Sequence, residues 1–156
     1  MLVGIYTSPE SPLPMQRHES IEVLEQVGLA GDRYAIGKGF YTGSPEWDAP
    51  ITLIQQEPFD ALAEQGLTMD PGEMRRNLVT RSINLNWLIG REFQIGDKVV
   101  LRGRRAWPPC MHLIKLTGKG DMIKCFAHQC GIGADVVAGG IIRVGDPIFA
   151  LRLVKE

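Results

Sequence analysis

The chain has 156 residues, with 17 Lys and Arg against 18 Asp and Glu for a formal net charge of -1; this length fits one domain, 1–156, with a single substantial core. The charge balance offers no general attraction for nucleic acid or an anionic membrane, so any anion site must be local. No apolar run approaches the ~20 residues that span a bilayer, and "MLVGIYTSPE" lacks a basic segment followed by a long apolar one, so a soluble cytoplasmic protein is expected.

In chain order, "LVGIYT" reads as a strand and "SPESPLPM" as a proline-crowded loop. Residues 19–27, "ESIEVLEQV", alternate through Ile21 and Val23 and are read as a half-exposed strand rather than a helix. From Gly28 to Pro50 the chain carries five glycines and little apolar periodicity. A connection of that length often carries function. "ITLIQQ" is a strand, and "EPFDALAEQG" is a helix with Pro58 in its first turn and Gly66 as its C-terminal cap. "RRNLVT" follows as a strand, "NLNWLIG" as one or two helical turns, and "REFQIGDKVVLRGR" as a hairpin around Gly96-Asp97. A helix is expected around "KGDMIKCFAHQ", and "ADVVAGGIIRVGDPIFALRLV" gives three strands broken at Gly139-Gly140 and Gly145-Asp146. Many short strands and few helices predict a mainly β protein, and a closed, mostly antiparallel β-barrel or a sandwich would hide the sheet edges.

Two glycine-rich stretches imitate nucleotide loops and fail. Around "AIGKGFYTG", the preceding Gly31 and Gly37 are separated by one residue too many for a phosphate loop, and Gly39 stands where Ser or Thr should follow the lysine. In "GIGADV", Val136 takes the third glycine position of a dinucleotide fingerprint, with no βαβ unit around it.

Chemistry concentrates in "RGRRAWPPCMHL". The three cysteines, Cys110, Cys125 and Cys130, are an odd number without an export signal, so reduced thiols are expected. Pro108-Pro109 forbids helix just before Cys110 and places it at a strand-to-helix junction, where nearby cations favour a reactive thiolate. Alternation puts Arg102 and Arg104 on one face and Arg105 on the other, so not all three serve one site. A packed, inert cysteine explains the residues equally well. A zinc site from Cys110, His112, Cys125, His128 and Cys130 is a further alternative, weakened by the unusual Cys-x-His pair. Arg75, Arg76 and Asn77 form a second polar group, suited to a phosphate or polar heterocycle but equally to a solvated strand end.

Taken together, "GLAGDRYA", "RRNLVTRSINLNWLIGREFQIGDKVVL" leading into "PPCMHL", and "GGIIRVGDPI" resemble, in that order, the MOSC domain named for the C-terminal part of molybdenum-cofactor sulfurases. The resemblance spans roughly residues 28–149. It implies a small stand-alone bacterial-type member without the pyridoxal-phosphate domain of the sulfurases or an iron–sulfur extension. It also implies a closed β-barrel and a pocket for the molybdenum cofactor (molybdopterin). Cys110 matches the family's cysteine, which ligates molybdenum or carries a persulfide. Arg75, Arg76 and Asn77 fall on the segment that contacts the pterin phosphate, Asp32, Arg33 and Tyr34 on the segment at the pocket mouth, and His112 lies in the cysteine segment. Lys38 joins the candidates by its place in the same glycine-rich loop. The chain departs from the family in having no cation between Lys124 and Arg143, where an arginine is common.

Three functions follow. In the first, Cys110 is the catalytic molybdenum ligand in oxygen-atom transfer or reduction of N-hydroxylated small molecules, with electrons from a separate redox partner. In the second, Cys110 carries sulfur from a cysteine desulfurase that uses pyridoxal phosphate, a cofactor attached to this chain by family association only. The third is a non-catalytic binding module.

Overall fold

The structure is a computed structural model and describes residues 1–153. The strands are β1 (Leu2–Thr7), β2 (Gln16–His18), β3 (Ser20–Leu24), β4 (Gly28–Leu29), β5 (Ile51–Gln55), β6 (Leu78–Thr80), β7 (Arg91–Ile95), β8 (Val99–Ala106), β9 (Ile132–Ala138), β10 (Gly140–Arg143) and β11 (Ile148–Leu153). The helices are α1 (Glu57–Glu64), α2 (Met111–Thr117) and α3 (Gly120–Lys124), with 3-10 turns at Pro71–Met74 and Leu85–Leu88. Residue 154, the end of the run expected for the last strand, lies outside the described residues.

Eight strands form one sheet in the order β11-β7-β8-β9-β5-β6-β1-β2, and β10-β3-β4 form a second. Neighbouring strands pair antiparallel except β5 and β6, which run parallel in the register Leu53↔Leu78 across the crossover that contains α1. The centre of the large sheet is buried on both faces, and period-two alternation sorts its side chains. Ile5, Leu53 and Leu78 point into a core shared with Val23, Leu29 and Ile142 of the small sheet. Their neighbours Tyr6, Ile54 and Val79 point the other way, into a cluster with Phe59 of α1, Leu113 of α2, Ile123 of α3 and Phe126. This double burial explains why "ITLI" and "LVT" are almost continuously apolar.

The closed barrel expected from the sequence is corrected, because neither sheet closes on itself. β11 and β2 are the two edges of the large sheet and no ladder joins them. The β10–β11 turn comes back to β1 only through two hydrogen bonds, Leu2 N to Asp146 O at 2.8 Å and Gly145 N to Leu2 O at 2.7 Å. β9 ends before Gly139-Gly140, where the chain leaves the large sheet and β10 pairs with β3 in the small one. A Cβ on Gly139 would meet Val23 O at 2.5 Å, so that crossing requires glycine.

Two boundaries also differ. Arg75 and Arg76 precede β6 rather than opening it, because the 3-10 turn that the Asp70 capping box starts ends at Arg75 in the left-handed conformation, φ 55. Residues 111–124 form two short helices, α2 and α3, rather than one around "KGDMIKCFAHQ".

Candidate functional site

β8 ends at Ala106, Trp107-Pro108-Pro109 runs without regular structure, and Cys110 (φ -116, ψ 166) is the extended residue from which α2 starts. This is the junction that the two prolines predict. The half-buried Cys110 opens onto a cavity of about 360 Å³. Arg33, Tyr34, Arg75, Arg76, Cys110 and His112 all line it. The structure therefore gathers residues from three distant segments around one space, whose volume suits a single medium-sized ligand.

Charge is the cavity's main chemical feature. Arg76 is buried, 6 % exposed, and donates to three backbone carbonyls: Trp107 O at 2.6 Å, Met74 O at 3.1 Å and Cys130 O at 3.4 Å. Arg75 donates to Leu13 O at 2.7 Å while its second terminal nitrogen, Nη2, is buried without a partner. Among the described residues no carboxylate pairs with either arginine. Arg33 differs, since Asp32 holds it at 3.2 Å in a buried pair. Burial brings both unpaired guanidiniums down to about 10; for Arg75 the neighbouring Arg33 adds to the effect, and for Arg76 the Cys130 and Cys110 thiols oppose it. Both remain cations at neutral pH, as an anion site needs.

Around Cys110 the walls are aromatic. Burial, with the Cys110 side chain beside it, pushes the Tyr41 phenol up to about 12. A phenol that stays protonated is a standing hydrogen-bond donor to sulfur. Phe40 stacks on the His112 ring at 3.8 Å and 11°. His112 in turn hydrogen-bonds Ser11 Oγ through Nε2 at 3.1 Å. Burial first, then the charges of Arg75, Arg33 and Lys115, lowers the His112 imidazole below its usual range, favouring the neutral ring.

Three candidates stand outside the lining. Asp32 is fully buried and organises the turn beneath Arg33, accepting from Ser8 N at 3.1 Å and Tyr34 N at 3.2 Å. Asn77 is also fully buried and staples β5 to β6 and β1, accepting from Thr52 N at 3.0 Å and donating to Tyr6 O at 3.2 Å. Lys38 is exposed, 3.9 Å from Glu10. The five side chains of the zinc alternative do not converge: Cys125 is exposed, Cys130 is buried, and no three metal-binding side chains cluster among the described residues.

Sequence reasoning missed Phe40, Tyr41, Trp47 and Trp107, which also line the cavity. The available signal was aromatic density: "GFYTGSPEW" packs three rings into the glycine-rich connection. The preceding arginines hold this loop in place. Arg104 donates to Asp48 O at 3.0 Å, and Arg105 lies over the Trp47 ring at 4.0 Å and pairs with Glu46 at 3.6 Å.

No helix among the described residues is long and apolar enough to cross a membrane. A family model described as the MOSC domain matches residues 25–149. Among solved structures, YuaD protein from Bacillus subtilis superposes with a TM-score of 0.74 at 15 % identity, covering 97 % of this chain and 96 % of that one. YiiM from Escherichia coli gives 0.68 at 17 % identity, covering 100 % and 72 %. YiiM from Geobacillus stearothermophilus gives 0.71 at 15 %, covering 96 % and 74 %. At these identities the likeness is one of fold alone. No curated protein matches the sequence.

Proposed function

The chain belongs to the MOSC domain family, whose members are associated with molybdenum-cofactor binding, and from that premise we propose that the cavity beside Cys110 is a molybdenum-cofactor site. The observation that carries the reading is the pair Arg75 and Arg76, a half-buried and a buried guanidinium without a carboxylate, opening on the same cavity as a half-buried thiol. The residues fit the group. Arg76 and the unpartnered Nη2 of Arg75 suit a phosphate, the rings of Tyr34 and Trp107 suit the faces of a flat pterin, and the Cys110 thiolate is a soft ligand for molybdenum. The bound group would supply oxygen-atom transfer, here the reduction of N-hydroxylated compounds.

The chain's own residues would prepare that chemistry. Tyr41, whose phenol stays protonated beside Cys110, would offer the sulfur a hydrogen bond. Trp47 and Trp107, their rings 5.3 Å apart, would give the cavity an apolar stretch of wall. Electrons would come from a separate redox partner, because three scattered cysteines cannot ligate an iron–sulfur cluster. No lysine lines the cavity to hold pyridoxal phosphate as a Schiff base, so that cofactor would belong to a partner.

The same thiol supports a second reading, favoured by its partial exposure at the cavity wall. Its thiolate would attack the outer sulfur of a desulfurase persulfide, forming a Cys110 persulfide and releasing the donor thiolate. Expression alongside cofactor synthesis, followed by metal analysis and pterin fluorescence, tests both. Stoichiometric molybdenum that disappears in Cys110→Ser supports the first. Cyanide-labile sulfur on Cys110 without metal supports the second, and neither signal leaves a binding module.

A further inference from the structure

The cavity walls bear on which compounds can reach Cys110. A continuous run of rings borders it: Phe40 stacks on His112 at 3.8 Å, meets Tyr41 edge-on at 4.9 Å, and Tyr41 leads to Trp47 at 6.0 Å. No carboxylate lines the cavity among the described residues, whereas Arg33, Arg75 and Arg76 do. Asp32 pairs with Arg33, and the phosphate of the proposed cofactor would pair with Arg75 and Arg76, so in the loaded cavity the rings rather than the charges are left to select a substrate.

Phe40 is the exposed member of this run. The residue is 55 % exposed although one face of its ring lies flat on His112. It projects from a turn built on glycines, with Gly37 at φ +74 and Gly43 at φ +84, and Gly39 crosses the Tyr34 ring too closely to carry a Cβ. Few backbone constraints on side-chain size or rotamer bind such a turn, and a stacked pair of rings can be exchanged for another of similar strength.

We infer that Phe40 is a specificity-determining gate. Its ring covers the face of His112 that a flat, conjugated N-hydroxylated compound takes on binding, and Phe40 swings outward as the ligand's ring stacks in its place. The N-hydroxy head rests on the proposed reductase reading; the choice of a flat ring rests on the walls alone.

The three tryptophans make the test direct, because Trp87 is 74 % exposed outside the cavity while Trp47 and Trp107 line it. In a Trp87→Phe background, the cofactor-bearing protein is titrated by tryptophan fluorescence with benzohydroxamic acid and its cyclohexane counterpart. Both share one N-hydroxy head, so the affinity ratio isolates the ring. The flat compound should bind about tenfold more tightly than the saturated one, and Phe40→Ala should tighten it by about three- to tenfold by removing the competing ring. His112→Leu should erase the preference for a flat ring and leave the cyclohexane compound unchanged. Equal affinities for flat and saturated rings would overturn the inference, and so would weaker binding of both by Phe40→Ala, which would make Phe40 a fixed wall. Molybdenum content judges the reductase reading separately. Ring preference in a protein without molybdenum upholds this inference without that reading, and molybdenum-dependent reduction without ring preference does the reverse.

Discussion

Two arginine clusters of this chain have opposite roles, and their counter-ions tell them apart. Arg102, Arg104 and Arg105 lie in β8 just before the cysteine, yet each meets a carboxylate: Glu92 at 2.9 Å, Asp135 at 3.7 Å and Glu46 at 3.6 Å. Arg75 and Arg76 are 34 residues or more from Cys110 in sequence and meet only backbone carbonyls. The near cluster is neutralised and shapes the loop over the cavity; the distant one keeps its charge for the cavity itself. A buried cation without an acid is costly and persists where another anion offsets it.

The sharpest way to break this contrast is Arg76→Met. It leaves the carbonyls of Trp107, Met74 and Cys130 without their shared donor, and the relief of removing a buried charge offsets only part of that. We expect a loss of about 2–4 kcal/mol in urea unfolding, together with loss of cofactor. An equal loss from Arg104→Met, whose guanidinium is partly exposed and paired, would erase the distinction.

Arg75→Gly separates fold from binding. Arg75 holds a left-handed conformation at φ 55, which glycine adopts without penalty, and its bond to Leu13 O is exposed. The two changes should nearly cancel, leaving stability within about 1 kcal/mol of the parent. Affinity for the cofactor, or for inorganic phosphate as a probe measured by calorimetry, should still fall about tenfold or more. Unchanged phosphate affinity would remove Arg75 from the anion site.

Local physics made much of the molecule legible. Alternation marked the strands, Gly96-Asp97 the β7–β8 hairpin, and Pro108-Pro109 the junction at Cys110. What escaped depends on long-range choices. Whether the sheet closes turns on whether its edge strands β11 and β2 meet, and the parallel β5–β6 pair on where the chain lands after α1. Neither choice leaves a periodicity. Arg75 and Arg76 were visible as a pair, but their lack of carboxylate partners is a property of the fold. Phe40, Tyr41 and Trp47 sit in an aperiodic turn, so no face pattern announced them as one wall.

A smaller effect is expected from the neutralised cluster. Arg105→Ala removes a cation–π contact with Trp47 and an exposed ion pair with Glu46, each worth up to about 1 kcal/mol. The melting temperature should fall by a few degrees at most, and less in high salt. The emission of Trp47 should shift to the red as its ring gains solvent. Loss of cofactor as complete as that of Arg76→Met would mean that the near cluster also serves the ligand.

The smallest effect is a pH dependence that links the mouth of the cavity to the distant arginines. His112 binds a proton less readily in the folded chain than its ordinary value of 6.5, through burial and then the charge of Arg75. Its contribution to stability is therefore complete above that value and fades as the pH falls below it, because the unfolded chain takes up the proton first. In cofactor-free protein the urea midpoint should decline between about pH 7 and pH 5, and His112→Gln should flatten part of that decline. Arg75→Gly should flatten it too, by removing the nearest source of repulsion, while Arg105→Ala should leave the slope alone. A slope that responded to Arg105 and not to Arg75 would place the unneutralised charge in the wrong cluster and undo the contrast between them.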